Sequence, residues 1–383
     1  MIAWTSFAAL LMMGCAAQTE QVPLRQNIES EQATFRIVLL MEGLQHPWGM
    51  AFLPKGKMLV TERPGQLRLL KIGSTVSKPV KGVPKVFAEG QGGLLDVAVD
   101  PDFETNSFVY LSYAGVDDDG LSSTRVARGR LIDRKLEDVE VIFRSNSASG
   151  GGAHWGSRLG FDPDGYLYVT LGERGQQNIA QSLARHGGSV LRIMPDGSVP
   201  EDNPFVDKAG AQPEIFSYGH RNPQGLAIHP ETGQVWEVEH GPMGGDEVNL
   251  IEAGVNYGWP VITWGRNYNG TLINGGLREK EGMAQPVYYW DPSIAPSGMT
   301  FYDGDVFPEW QGDLFVGSLK FHHIARLEME GDRVVGEERL LEGMLGRIRD
   351  VRTGPDGYLY LLTDANKGGL YRLEPGIKKH VRD

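Results

Sequence analysis

One phrase recurs along the chain, and it limits the fold more than any other feature. It runs as an apolar pair, a turn built on Pro, Asp or Gly, and then an alternating apolar strand. Its copies are MAFLPKGKMLVTE (50–62), VAVDPDFETNSFVYLSY (97–113), LGFDPDGYLYVTLGE (159–173), LAIHPETGQVWEVEHG (226–241), MTFYDGDVFPEWQGDLFVGSL (299–319) and VRTGPDGYLYLLTD (351–364). Pro-Asp-Gly-Tyr-Leu-Tyr stands verbatim at both 163–168 and 355–360. Each copy reads as a hairpin, because Asp-Gly and Thr-Gly permit positive φ and the flanking apolar residues alternate at period two. The spacing leaves room for a four-stranded sheet per copy. Radial repetition of such sheets predicts an all-β, six-bladed β-propeller of four-stranded antiparallel blades. A β-sandwich would also have many short strands, but not six copies of one phrase. No stretch keeps the helical period for long, and no dinucleotide glycine fingerprint opens a helix. The unequal spacing puts long loops in the third to fifth repeats.

Composition agrees with this reading. Fifty-one Gly and 22 Pro in 383 residues imply many tight turns. The formal net charge of −12 argues against a nucleic-acid partner. The single cysteine, Cys15, excludes an intrachain disulfide. It follows an apolar run, residues 2–14, of secretory type but too short to span a bilayer. Met13-Gly14-Cys15-Ala16 resembles a bacterial lipobox. That makes residues 1–15 a signal peptide, 16–33 a flexible tether, 34–376 the propeller and 377–383 a tail. The chain is then expected in the periplasm of a bacterial cell envelope, lipid-anchored through Cys15. Ordinary signal cleavage after Ala17 is the other reading, and it gives a soluble periplasmic protein.

Five clusters could carry chemistry, and each has a plain structural alternative. Gln91 lies in a Gly-rich turn, EGQGGLLD, that lets backbone approach a ligand. His154 follows three glycines and precedes a strand. It could serve as a general base or as a hydrogen-bonded structural histidine. Arg221 and Asn222, in YGHRNPQG, offer a rigid cationic fork or a cap on loop carbonyls. The loop holding Gly241, Pro242, Asp246 and Glu247, followed by Tyr257, suits an oxygen-loving cation such as Ca²⁺, or carries solvated acids. Asp246 and Glu247 should diverge, so only one should serve a given ion. Lys320, Arg347 and Arg349 add cations. The last two are two residues apart on one strand face, which invites an anion. A polyanionic ligand over the propeller's central channel would account for the whole set.

GQGGLLDVAVDPDF, HWGSRLGFDPDG, YGHRNPQGLA, EHGPMGGDEVNLI, NYGWP, SLK and RIRDV, in that order, resemble the glucose/sorbosone dehydrogenase family. The likeness covers roughly residues 36–375 and is nearest the aldose sugar dehydrogenase branch. It implies a quinoprotein that carries pyrroloquinoline quinone (PQQ) and Ca²⁺. Such an enzyme oxidises the anomeric hydroxyl of an aldose to the lactone by hydride transfer to calcium-bound PQQ. An external acceptor then takes the electrons. The resemblance makes His154 the base and Arg221 the charge beside the reactive carbonyl, with Asn222 next to it. Gln91, Lys320, Arg347 and Arg349 would hold the cofactor. The carbonyls of Gly241 and Pro242 would bind the catalytic Ca²⁺, and Glu247 with the Tyr257 carbonyl a second one.

Two positions depart from the glucose-specialised branch. Ala153 stands where an Asp precedes the base, so His154 needs another partner. An aromatic residue over the cofactor corresponds to Trp290 or Asp291. Two rival readings remain: a calcium-dependent lactonase propeller and a non-catalytic sugar-binding propeller. The lactonase needs side-chain ligands converging on the axis and has no use for the three cations.

Overall fold

A computed structural model describes residues 23–74 and 77–376. The expected leader, Cys15 and the tail lie outside the described residues. Two strands, β1 (Pro23–Glu29) and β2 (Thr34–Leu44), lead into the first blade. That blade is β3 (Pro47–Leu53), β4 (Lys57–Glu62), β5 (Gln66–Lys71) and β6 (Lys78–Val80). The second is β7 (Leu94–Val99), β8 (Phe108–Val116), β9 (Ser122–Ile132) and β10 (Lys135–Arg144). The third is β11 (Gly156–Phe161), β12 (Leu167–Leu171), β13 (Ser189–Ile193) and β14 (Ile215–Tyr218). The fourth is β15 (Pro223–Ile228), β16 (Val235–Glu239), β17 (Asp246–Ile251) and β18 (Tyr288–Trp290). The fifth is β19 (Pro296–Phe301), β20 (Leu314–Ser318), β21 (Ile324–Glu330) and β22 (Arg333–Leu340). The sixth begins with β23 (Ile348–Thr353), β24 (Leu359–Thr363) and β25 (Gly368–Pro375).

The repeated phrase forms the first two strands of each blade. Its turns close where expected: Gly165 and Gly357 take φ of 85° and 76°, a region that L side chains avoid. The longest connections, residues 194–214 and 252–287, belong to the third and fourth blades.

The sixth sheet has five strands, in the order β1-β2-β25-β24-β23. β2 pairs with β25 from Phe35↔Pro375 to Leu44↔Gly368. Hydrogen bonds thus join the two ends of the described chain and close the ring. Residues 23–29, read from the sequence as tether, instead form β1 at the outer edge of this sheet. Ile28 anchors that end by packing on the core between the fifth and sixth blades.

Period two has a particular meaning here. All five residues of β12 are buried. Leu167, Val169 and Leu171 pack with Tyr110 and Val126 of the second blade. Tyr168 turns the other way, to Leu226 and Val235 of the fourth. Alternation sends neighbouring side chains to opposite blades rather than to core and solvent.

The inner strands β3, β7, β11, β15, β19 and β23 stand side by side around the axis. Arg158 of β11 fills that axis and is wholly buried. Its guanidinium meets Asp350 at 3.0 Å and Asp96 at 3.4 Å. It donates to the carbonyls of Gln224 at 2.7 Å and Arg349 at 2.9 Å, and lies 4.1 Å over the Trp48 ring. Five blades therefore meet at one side chain. Arg352 adds a second cation beside the same two aspartates.

Candidate active site

Above this axial cluster lies a pocket of about 130 Å³, with lining residues from all six blades. Trp48, Gln91, Asn222, Arg347 and Arg349 are among the lining residues. Three of its side chains are arginines, Arg63, Arg347 and Arg349, against one carboxylate, Asp364. His240 also lines it and stays neutral. Burial, then the charges of Arg221, Arg349 and His154, push its pKa down to about 3.

His154 stands beside the pocket, just before β11. Its main-chain N–H donates to Gln91 Oε1 at 2.9 Å. Its φ of 52° is unusual for a residue with a side chain, a strain that marks functional positions. Buried Arg174 holds the loop in that shape. It donates to the carbonyls of Ala153 and Gly151 and lies 3.3 Å over the Trp155 ring. Burial lowers the Arg174 pKa to about 10, which leaves it charged at neutral pH.

The partner that Ala153 cannot supply is Glu173. Its Oε1 lies 2.9 Å from His154 Nδ1, and the carboxylate is buried. The two atoms are within ion-pair distance but do not form a directed hydrogen bond. The N–H groups of Gly175 and Gln176 fix the other carboxylate oxygen. The sequence reading missed Glu173, although a signal was present. In four of the six copies an acid ends the second strand or follows it within two residues: Glu62, Glu173, Glu239 and Asp364. Each now holds the loops around it. Glu62 takes Arg68, Glu239 takes the N–H groups of Arg221 and Asn222, and Asp364 takes Arg349 and His46.

Arg347 and Arg349 do share one side of the pocket. Arg349 is buried and donates to Gln224 Oε1 at 3.1 Å and Asp364 at 2.7 Å. Arg347 is half exposed and 3.5 Å from Asp364. Burial favours protonation of Asp364, but Arg349, His46 and Arg347 hold its pKa well below the usual carboxylate range. Lys320 stands outside the lining, exposed, with Nζ 5.0 Å over the Phe321 ring. Trp290 is buried in the core between the fourth and fifth blades and gives Nε1–H to Glu337. Neither it nor Asp291 lines the pocket.

A smaller cavity adjoins the first through His240. It is lined by Arg221, Glu239, Gly241, Glu247 and Tyr257. Arg221 donates to the carbonyls of His240 and Gly241, each at 3.0 Å. A Cβ on Gly241 would fall 2.2 Å from the Gly244 carbonyl oxygen and 2.3 Å from that of Gly245. Carbonyls thus crowd this loop, as a hard cation requires. Pro242 packs against Gly265 of the facing loop. Asp246 and Glu247 diverge as expected. Asp246 accepts from the N–H groups of Gly241 and Ala295, and burial raises its pKa to about 6. Glu247 turns inward toward Glu237, Glu239, Asn249 and His220.

That inner group forms a buried acid cluster. Ligand atoms of His220, Glu237 and Glu239 lie within 4.8 Å of one another. The Tyr257 ring stacks on His220 at 4.6 Å. Burial and the neighbouring Glu239 raise Glu237 to about 7 and push Glu247 well above its ordinary value. Burial alone would lower His220, but the two glutamates raise it to about 9. Crowded, partly protonated carboxylates of this kind fit a divalent cation.

The architecture is a closed six-bladed propeller with its polar chemistry gathered above the axial plug. The chain belongs to the glucose/sorbosone dehydrogenase family, whose model matches residues 44–372. It is 48% identical over 347 residues to aldose sugar dehydrogenase YliI of Escherichia coli, covering 90% of this chain and 94% of that one. The apo-form structure of the soluble aldose sugar dehydrogenase from E. coli matches with a TM-score of 0.87 at 47% identity, over 89% of this chain and all of that one. The PQQ-bound aldose sugar dehydrogenase of Streptomyces coelicolor matches with a TM-score of 0.74 at 28% identity, over 90% and 99% of the two chains.

Proposed function

We propose that this chain is a PQQ- and Ca²⁺-dependent aldose sugar dehydrogenase that oxidises the anomeric hydroxyl to a lactone. The observation that carries the reading is the His154–Glu173 pair beside a pocket with three guanidiniums and one carboxylate. When bound, PQQ supplies a two-electron acceptor and Ca²⁺ the Lewis acidity that polarises it. Arg347, Arg349, Asn222 and Gln91 would hold the cofactor, with Lys320 reaching in from the rim. The carbonyls of Gly241 and Pro242 would hold the catalytic ion, and Glu247 with the Tyr257 carbonyl the second.

The chain's own groups have clear tasks. His154 Nε2 removes the proton from the anomeric hydroxyl. Glu173 places its negative charge beside Nδ1 and so stabilises the imidazolium that forms. Arg221 places a permanent positive charge beside the reacting centre. Trp48 and the buried Arg349 give the pocket a rigid floor.

A lactonase is disfavoured by the axis itself. Asp96 and Asp350 do converge there, but Arg158 and Arg352 neutralise them. We also propose that the mature protein is periplasmic and anchored by acylated Cys15. Purified apoprotein given PQQ and Ca²⁺ should reduce a dye in the presence of an aldose. Tight PQQ binding without sugar-dependent reduction would overturn the dehydrogenase reading.

A further inference from the structure

Arg63 is a pocket cation that no sequence motif pointed to. It lies in the turn between β4 and β5 and is half-buried. Its main chain is pinned on both sides: its N–H donates to the His46 carbonyl at 3.1 Å, and its carbonyl accepts from Leu94 N–H at 2.9 Å. Its side chain has no hydrogen bond, ion pair or ring partner among the described residues. The acids at hand are taken. Glu62 Oε2 receives Arg68 and Oε1 the Gln45 N–H, each at 2.6 Å. Asp364 serves Arg349, Arg347 and His46.

We propose that Arg63 is a carboxylate receptor of this pocket, completing the set that Arg347 and Arg349 begin. The inference rests on the dehydrogenase reading and extends it. Counting Arg63, Arg347 and Arg349 against Asp364, these four side chains of the lining carry a surplus of two positive charges. A surplus of this size around a small pocket selects a polyanion. Arg63 offers that ligand a planar fork on a pinned backbone, suited to a bidentate carboxylate contact. Lys320, the third cation the resemblance implies, stands outside the lining, so Arg63 takes the third inner position.

PQQ is titrated into the Ca²⁺-loaded apoprotein and followed by absorbance and tryptophan fluorescence. Arg63→Gln should raise the PQQ Kd roughly 10- to 100-fold, the worth of one charge-assisted contact. Its Kd should also rise less steeply with salt than that of the wild type. Arg63→Lys should recover part of the loss. The thermal midpoint of the apoprotein should not move, since the side chain holds nothing in the fold. If PQQ affinity is unchanged but KM for glucuronate rises relative to glucose, the receptor serves a substrate carboxylate, and the proposal stands with that source. Unchanged PQQ affinity together with unchanged glucuronate-to-glucose preference overturns it. A wild-type chain that binds no PQQ overturns the dehydrogenase reading itself, and the Arg63 proposal with it.

Discussion

Glu173 Oε1 lies 2.9 Å from His154 Nδ1, and this contact replaces the neighbour that Ala153 does not provide. If the carboxylate orients the base, Glu173→Gln should lower kcat by roughly 10²-fold without releasing PQQ. His154→Ala should lose about 10²–10⁴-fold. The double variant should be no slower than His154→Ala, because paired groups act as one unit. Turnover per PQQ-loaded molecule is the measurement. Additive losses would show that Glu173 acts on something other than His154.

The repeat made the ring legible because each Asp-Gly turn and each alternating strand is local information. The cations Arg347 and Arg349 were legible for the same reason. Glu173 was not, yet it follows once the hairpin is closed: Gly156 pairs with Leu171, so two residues further on His154 faces Glu173. The same mirror places Arg347 opposite Asp364, one step beyond the Ile348↔Thr363 pair. What stayed hidden depends on contacts between blades. Arg158 looks like any strand arginine in HWGSRLGF, and only closure of the ring puts it on the axis. Residues 23–29 carried no strand signal of their own; pairing with β2 gives them one.

Burial separates the two arginines of the sixth blade. Arg347 keeps 47% of its side chain exposed, whereas Arg349 keeps 7%. Arg347→Ala should therefore weaken PQQ binding while costing less than about 1 kcal/mol of stability. Arg349→Ala should weaken both, costing about 3 kcal/mol or more, because it leaves buried Asp364 under-compensated. Denaturant unfolding alongside PQQ titration tests the split. Equal stability losses in the two variants would contradict it.

Calcium uptake at the inner cluster should release protons. Glu237 titrates near 7 and His220 near 9 in the metal-free protein, and Glu247 is raised above its ordinary value. Below about pH 7 Glu237 and His220 hold protons that a cation must displace. Ca²⁺ affinity should thus climb as pH rises through neutrality. Calorimetry in buffers of different ionisation enthalpy would register the released protons. A Ca²⁺ affinity flat from about pH 6 to pH 8 would mean that the cluster is not the ion's site. Glu247→Gln should weaken this uptake and leave PQQ affinity much less affected.

Arg158 tests whether the axial plug belongs to the site as well as to the fold. One guanidinium ties Asp96, Asp350, the carbonyls of Gln224 and Arg349, and the Trp48 ring. Arg158→Met would leave two buried carboxylates facing Arg352 alone, so it should cost about 3–5 kcal/mol. Burial outweighs the pull of Arg158 and Arg352 and already raises the Asp96 pKa. Removing Arg158 takes away the largest opposing charge, so protonated Asp96 gains further. A carboxylate whose folded pKa is raised destabilises the fold as pH climbs through that value. The stability gap between wild type and variant should therefore narrow on acidification. Asp350→Asn added to Arg158→Met should recover part of the loss by removing one uncompensated charge. Because Trp48 and Arg349 line the pocket and both rest on Arg158, PQQ affinity should fall even where the variant is fully folded. Unfolding curves across pH, with PQQ titration below the transition, check each step. A loss that is small and independent of pH would show that Arg352 alone can neutralise the axis.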